Sequence, residues 1–127
     1  MSLLTEDELK KYRQLLDVLP PTHKDIPKIR TLLLEDKKER CRNNFMPFVK
    51  NMWSAFIPGK HHRDMAEAFE RVANGTLKRL IINMPPRHTK SEFASYLFPA
   101  WFLGKYPEKK IIQTAHTAEL AVGFGRK

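Results

Sequence analysis

Lys90 and Ser91 close a short loop that leaves an apolar run, within the segment RLIINMPPRHTKSE of residues 79–92. A lysine followed by a hydroxyl residue at a helix start is suited to holding the phosphates of a nucleotide. Unpaired backbone N–H groups and the positive end of the helix dipole attract phosphate oxygens there. The lysine adds a point charge for the β- and γ-phosphates, and the serine hydroxyl can ligate Mg²⁺. The usual pattern G-x-x-x-x-G-K-[ST] has glycine where Met84 and Thr89 stand in this chain. Glycine permits positive φ and a close approach of the backbone to phosphate. The residues alone therefore leave two readings open: a phosphate cradle, or an ordinary strand, turn and helix with a solvated Lys90.

The elements that must position these residues follow from periodicity. The β-branched run Leu80, Ile81, Ile82 predicts a strand over 78–83, buried on both faces. The loop 84–89 leads to a helix over 91–104, which Pro99 should kink or shorten near Phe98. A turn at 105–108, a second strand over 109–115 and a helix from Thr117 onward complete the pattern. Strands separated by a helix predict a right-handed βαβ unit with parallel strands. Upstream, Thr5 and Glu8 form a capping-box pattern for a first helix ending near Leu19, before Pro20-Pro21. A second helix is expected from about Asp25 to Asn43, with Ile29, Leu32, Leu33 and Leu34 on its apolar side. Its charged half, 35–42, is either a solvated face or a contact with DNA or another subunit. An aromatic segment at 45–56 precedes Pro58-Gly59. A third helix is expected over 61–74, with Met65, Ala68, Phe69 and Val72 at helical spacing and Gly75 as its stop.

Composition narrows the class. The 127 residues suit one small domain or part of a larger protein, and the 42% hydrophobic content is enough for a core. A net charge of +9 favours a polyanionic partner, nucleic acid being the usual one. One cysteine, Cys41, excludes an internal disulfide framework and a Cys-rich metal site, and a reducing cytoplasmic setting is the default. The charged N-terminus lacks the apolar core of a signal peptide, and the stretch 97–103 is too short to span a bilayer, so no membrane is expected.

From His61 onward the chain resembles the start of the ATPase domain of large terminase subunits from tailed phages (bacteriophages), the motors that thread viral DNA into procapsids. Three blocks carry the resemblance: the helix ending in Asn74-Gly75, the loop Pro85-Pro86-Arg87-His88-Thr89-Lys90-Ser91, and Ile111-Ile112-Gln113-Thr114-Ala115-His116-Thr117 with Leu120-Ala121. The loop looks like the family's deviant Walker A sequence, although the position of Thr89 is more often glycine there. The resemblance implies an α/β fold: a helical lead-in over 1–60, then the first βαβ unit of a P-loop NTPase with a parallel sheet over 61–127. It implies ATP and Mg²⁺ as cofactors, with Pro86, Arg87, His88, Thr89, Lys90 and Ser91 around the phosphates. Lys90 would contact the β- and γ-phosphates, Ser91 would reach Mg²⁺ through the nucleotide, and Arg87 would neutralise charge as the γ-phosphoryl leaves.

Several assignments keep a plainer alternative. Arg87 is either that catalytic arginine or a surface arginine paired with an acid. His88 either bonds a phosphate or is simply exposed. His62 either touches adenine, which motors of this type hold near this helix, or is an ordinary helix-start residue. Two adjacent histidines should point about 100° apart on a helix, so His61 and His62 are not expected to chelate zinc. His116-Thr117 lies either near nucleotide or DNA, or merely caps a helix. Trp53 and Trp101 read as core or interface packing.

Two parts of such a motor are not found in the sequence: an apolar strand ending in Asp-Glu (Walker B), and the acidic cluster of the family's endonuclease domain. The expectation is a front portion of a longer protein that can at most bind nucleotide. By the resemblance, the partners would be double-stranded DNA, a small terminase subunit and a portal protein, with a homo-oligomeric ring acting during virion assembly in the host cytoplasm. Two alternatives remain: another P-loop motor such as a helicase, or a small basic nucleic-acid-binding or adaptor protein without nucleotide chemistry.

Overall fold

The computed structural model describes residues 3–126, which divide into two compact units that meet in sequence between Asn43 and Asn44. The first unit holds helices α1 (Glu6–Val18) and α2 (Ile26–Asn43). The expected capping box forms: the Thr5 hydroxyl accepts from Glu8 N–H at 3.3 Å, and the Glu8 carboxylate accepts from Thr5 N–H at 2.8 Å. Leu9, Ile26 and Ile29 are buried. Leu32 and Leu34, expected on the apolar side, are exposed instead. The charged half of α2 is not merely solvated. Asp36 is buried and accepts from Leu4 N–H at 2.9 Å and from Arg40 Nε at 2.6 Å. Arg40 also reaches Glu6 at 2.6 Å and the Leu4 carbonyl at 3.0 Å, so this pair ties the start of α1 to α2. Burial alone would raise the Asp36 carboxyl, but the Leu4 N–H and the Arg40 guanidinium outweigh it and hold it below its ordinary value.

The second unit is built on aromatic packing. It contains α3 (Phe45–Met52), α4 (Lys60–Ala73), a π-helical segment (Glu92–Leu97), α5 (Phe98–Lys105) and α6 (Ala118–Gly125). Phe45 and Phe93 are fully buried, and their rings meet edge to face with centroids 5.6 Å apart. Phe69 and Trp101 approach Phe45 at 5.5 Å each, which gives Trp101 the packing role expected of it. α4 turns Met65, Ala66 and Phe69 inward, so its buried stripe runs through Ala66 rather than Ala68. Glu70 of α4 accepts from Phe45 N–H at 2.7 Å, satisfying an orphan donor at the start of α3. Gly75, at φ +80°, takes the left-handed conformation that ends α4.

The parallel sheet expected within residues 61–127 is overturned: the described residues form helices and no strand. Residues 78–83 and 109–115 lie in neither helix nor strand, leaving Ile81 86% and Ile112 91% exposed. Alternation explains the partial burial. Ile82 and Met84 lean on the aromatic core while Ile81 before them and Asn83 between them are exposed. β-branched residues favour an extended backbone, but a strand exists only where a neighbour completes its ladder, and two runs alone make a marginal sheet.

The helix expected over 91–104 is present, and it departs from α geometry in the turns just before Pro99. Residues 92–97 take the wider π turn, with Phe98 N–H bonded to the Phe93 carbonyl, and α geometry resumes at Phe98. Pro99 has no N–H to offer the Ser95 carbonyl four residues earlier. Gln113 supplies a donor instead, its Nε2 lying 2.7 Å from that oxygen. This bond fastens the segment 109–115 to the helix. Phe93, Leu97 and Trp101 are the buried residues of this helix, spaced by four. In a pure α-helix each step of four drifts roughly 40° around the axis; the wider turn removes part of that drift and keeps the three on one face. Among the described residues, no helix is long and apolar enough to cross a membrane.

Candidate phosphate-binding loop

The loop at 84–91 is held in an unusual backbone conformation. Arg87 has φ 65° and Thr89 φ 58°, both left-handed, and they are the only non-glycine residues with positive φ among those described. Thr89 stands where the phosphate-loop pattern asks for glycine, and it adopts the conformation glycine would supply. For an L-residue that conformation costs about 1–2 kcal/mol, and a β-branched side chain there is a genuine outlier. Some compensating contact must hold it.

Two hydrogen bonds at the Thr89 hydroxyl provide that contact. Oγ1 donates to the His88 carbonyl at 2.7 Å and accepts from His62 Nε2 at 2.6 Å. The His62 tautomer is fixed from the other side, because its Nδ1 accepts from Gly59 N–H at 2.9 Å. With Nδ1 occupied as an acceptor, the ring hydrogen sits on Nε2 and points at Thr89. Only 6% of His62 is exposed, and its ring lies 4.8 Å from Phe56 and 5.0 Å from Phe93. Burial first, then the neighbouring His61 and His88, lower the His62 pKa from its ordinary value.

The two adjacent histidines do not diverge as expected. The His61 and His62 rings lie 3.8 Å apart, tilted by 44°, with their Nε2 atoms 3.1 Å from each other. Gly59 makes this possible, since a Cβ there would come within 2.9 Å of the His61 ring. His88 lies 6.0 Å from His61 and bonds the Pro86 carbonyl through Nδ1 at 2.9 Å. Among the described residues no three His, Cys, Asp or Glu side chains gather as a metal site.

At the loop tip Pro86, Arg87 and His88 are exposed, and Thr89 and Lys90 are half-buried. Among the described residues no carboxylate pairs with Arg87 or Lys90. The first helical hydrogen bond runs from Phe93 N–H to the Thr89 carbonyl at 3.0 Å. The amides of Lys90 and Ser91 therefore open the helix without an intrahelical acceptor, as an anion site requires. Lys90 and Ser91 also line a cleft of about 440 Å³ with Lys78, Leu80, Ile82 and Phe98.

The arrangement thus brings His62, His88 and Thr89 together on one side, with Lys90, Ser91 and Lys78 on the cleft side. Pro86 and Arg87 form the tip between them. Lys78 was not singled out from sequence; its place at the head of the apolar run was the available signal. The remaining motif, His116-Thr117, supplies a helix cap: the Thr117 hydroxyl accepts from Leu120 N–H at 3.3 Å. These residues fit a triphosphate with its Mg²⁺: amides that open a helix, a lysine and an arginine with no carboxylate partner among the described residues, and a serine hydroxyl beside them. No protein-family model, no curated protein and no solved structure matches the chain.

Proposed function

We propose that residues 84–91 bind the triphosphate of MgATP, and that the chain is the nucleotide-binding part of a DNA-packaging motor of the large-terminase type. One observation carries the reading: Thr89 adopts a glycine-like backbone immediately before Lys90 and Ser91 open a helix. In this reading Lys90 supplies charge to the β- and γ-phosphates, Ser91 reaches Mg²⁺, and Arg87 approaches the γ-phosphate from the exposed tip. Bound Mg²⁺ would share the phosphate charge. The net charge of +9 supports double-stranded DNA as the polymer moved; the host cytoplasm, a small terminase subunit and a portal as partners follow from the resemblance alone. A fluorescent ATP analogue titrated with Mg²⁺ should bind the wild type and lose most of its affinity on Lys90→Ala.

A second reading has its own support. The same charge, on a chain whose described residues form no sheet, suits a small basic nucleic-acid-binding adaptor. Salt-sensitive DNA binding is expected of both and does not separate them. Analogue binding indifferent to Lys90→Ala, with the helical circular dichroism signal intact, would favour the adaptor.

A further inference from the structure

We propose that His62 is a positioning residue for the phosphate loop: it holds Thr89 in the left-handed backbone conformation and so couples the start of α4 to the loop. This rests on the nucleotide reading for its consequence, but the coupling itself is a property of the apo protein. The two ring nitrogens serve the start of α4 and a loop residue 27 positions from His62: Nδ1 takes Gly59 N–H at 2.9 Å, and Nε2 gives to Thr89 Oγ1 at 2.6 Å. Phe56 and Phe93 flank the ring and leave it little freedom to turn. A threonine at φ 58° needs such a tether, whereas glycine adopts that conformation without one.

The neutral imidazole alone can serve both partners. A proton on Nδ1 would face the Gly59 N–H donor to donor and release the start of α4. The titratable groups that act on His62 are His61 on its own helix and His88 across the loop. Both disfavour a proton on the His62 ring. Phe56 and Phe93 contribute no charge. The loop is therefore shaped for anions at neutral pH and loosened in acid.

The test is a double-mutant cycle read in two ways: hydrogen exchange of the Phe93 amide, which bonds the Thr89 carbonyl, without ligand, and affinity for MgATP. His62→Ala should speed exchange at Phe93 and weaken MgATP by about tenfold, the worth of one hydrogen bond. In a Thr89→Gly background, which sets its own reference, adding His62→Ala should change either readout less than about twofold, because the tether has nothing to hold. Equal losses in both backgrounds would overturn the proposal, since His62 would then be only a packing residue. Should His62→Ala fail to fold, Thr89→Val removes the same bond from the exposed side and should match its expected loss; unchanged exchange in Thr89→Val would equally overturn it. Lys90→Ala keeps the two ideas apart. If it leaves MgATP affinity intact, the nucleotide reading fails, while the exchange cycle still decides the role of His62.

Discussion

Two buried polar side chains, His62 and Asp36, do work that their sequence neighbourhoods conceal. His62 sits between an element start and a loop, and its fold-lowered pKa has a stability consequence. Below the ordinary value of 6.5 the unfolded chain takes up a proton that the folded ring resists. Stability is therefore undiminished above that pH, declines as pH falls through it, and levels only once the folded ring is itself protonated. Thermal melts between about pH 7.5 and 5 should show this decline, and His62→Gln should remove much of it. In the first unit, Asp36→Ala leaves the Leu4 N–H without its acceptor and takes one of its partners from Arg40. A loss of about 2–4 kcal/mol in denaturant unfolding is expected; a change within the error of the midpoint would mean that the pair is dispensable. The sequence exposed Lys90-Ser91 because their types are diagnostic at that spacing. It concealed the His62–Thr89 bond because nothing local links positions 27 residues apart.

Helix starts and stops were readable because they are local chemistry. Thr5 with Glu8, the break at Pro20 and the stop at Gly75 each act within a few residues of themselves. The two runs expected as strands were misread for the opposite reason, since β-branched composition declares a backbone preference and says nothing of a pairing partner. The π segment was half legible: Pro99 announced a disturbance, but the compensating donor, Gln113, comes from another element. Gln113→Ala should cost about 1 kcal/mol and free the segment 109–115, which greater backbone mobility there in NMR relaxation would register. Phe93→Ala, by contrast, empties the centre of the aromatic packing and should cost about 3–5 kcal/mol, a loss readable in urea. A small effect would mean that the ring cluster of α3, α4 and the π-bearing helix does not carry the unit's stability.

Across the molecule, a basic chain of helices presents one loop whose backbone is bent into a shape that its residue types do not favour. Strain of that kind persists only where the surroundings hold it, and it is commonest at ligand sites. The basic charge was legible from composition, but composition does not say where an anion sits. The central claim is that the anion sits at 84–91, and backbone amide resonances followed during titration with MgATP test it most directly. The account expects the largest saturable shifts at Thr89, Lys90 and Ser91, lost in Lys90→Ala. Shifts centred on the charged half of α2 instead, or none at all in the folded protein, would contradict it.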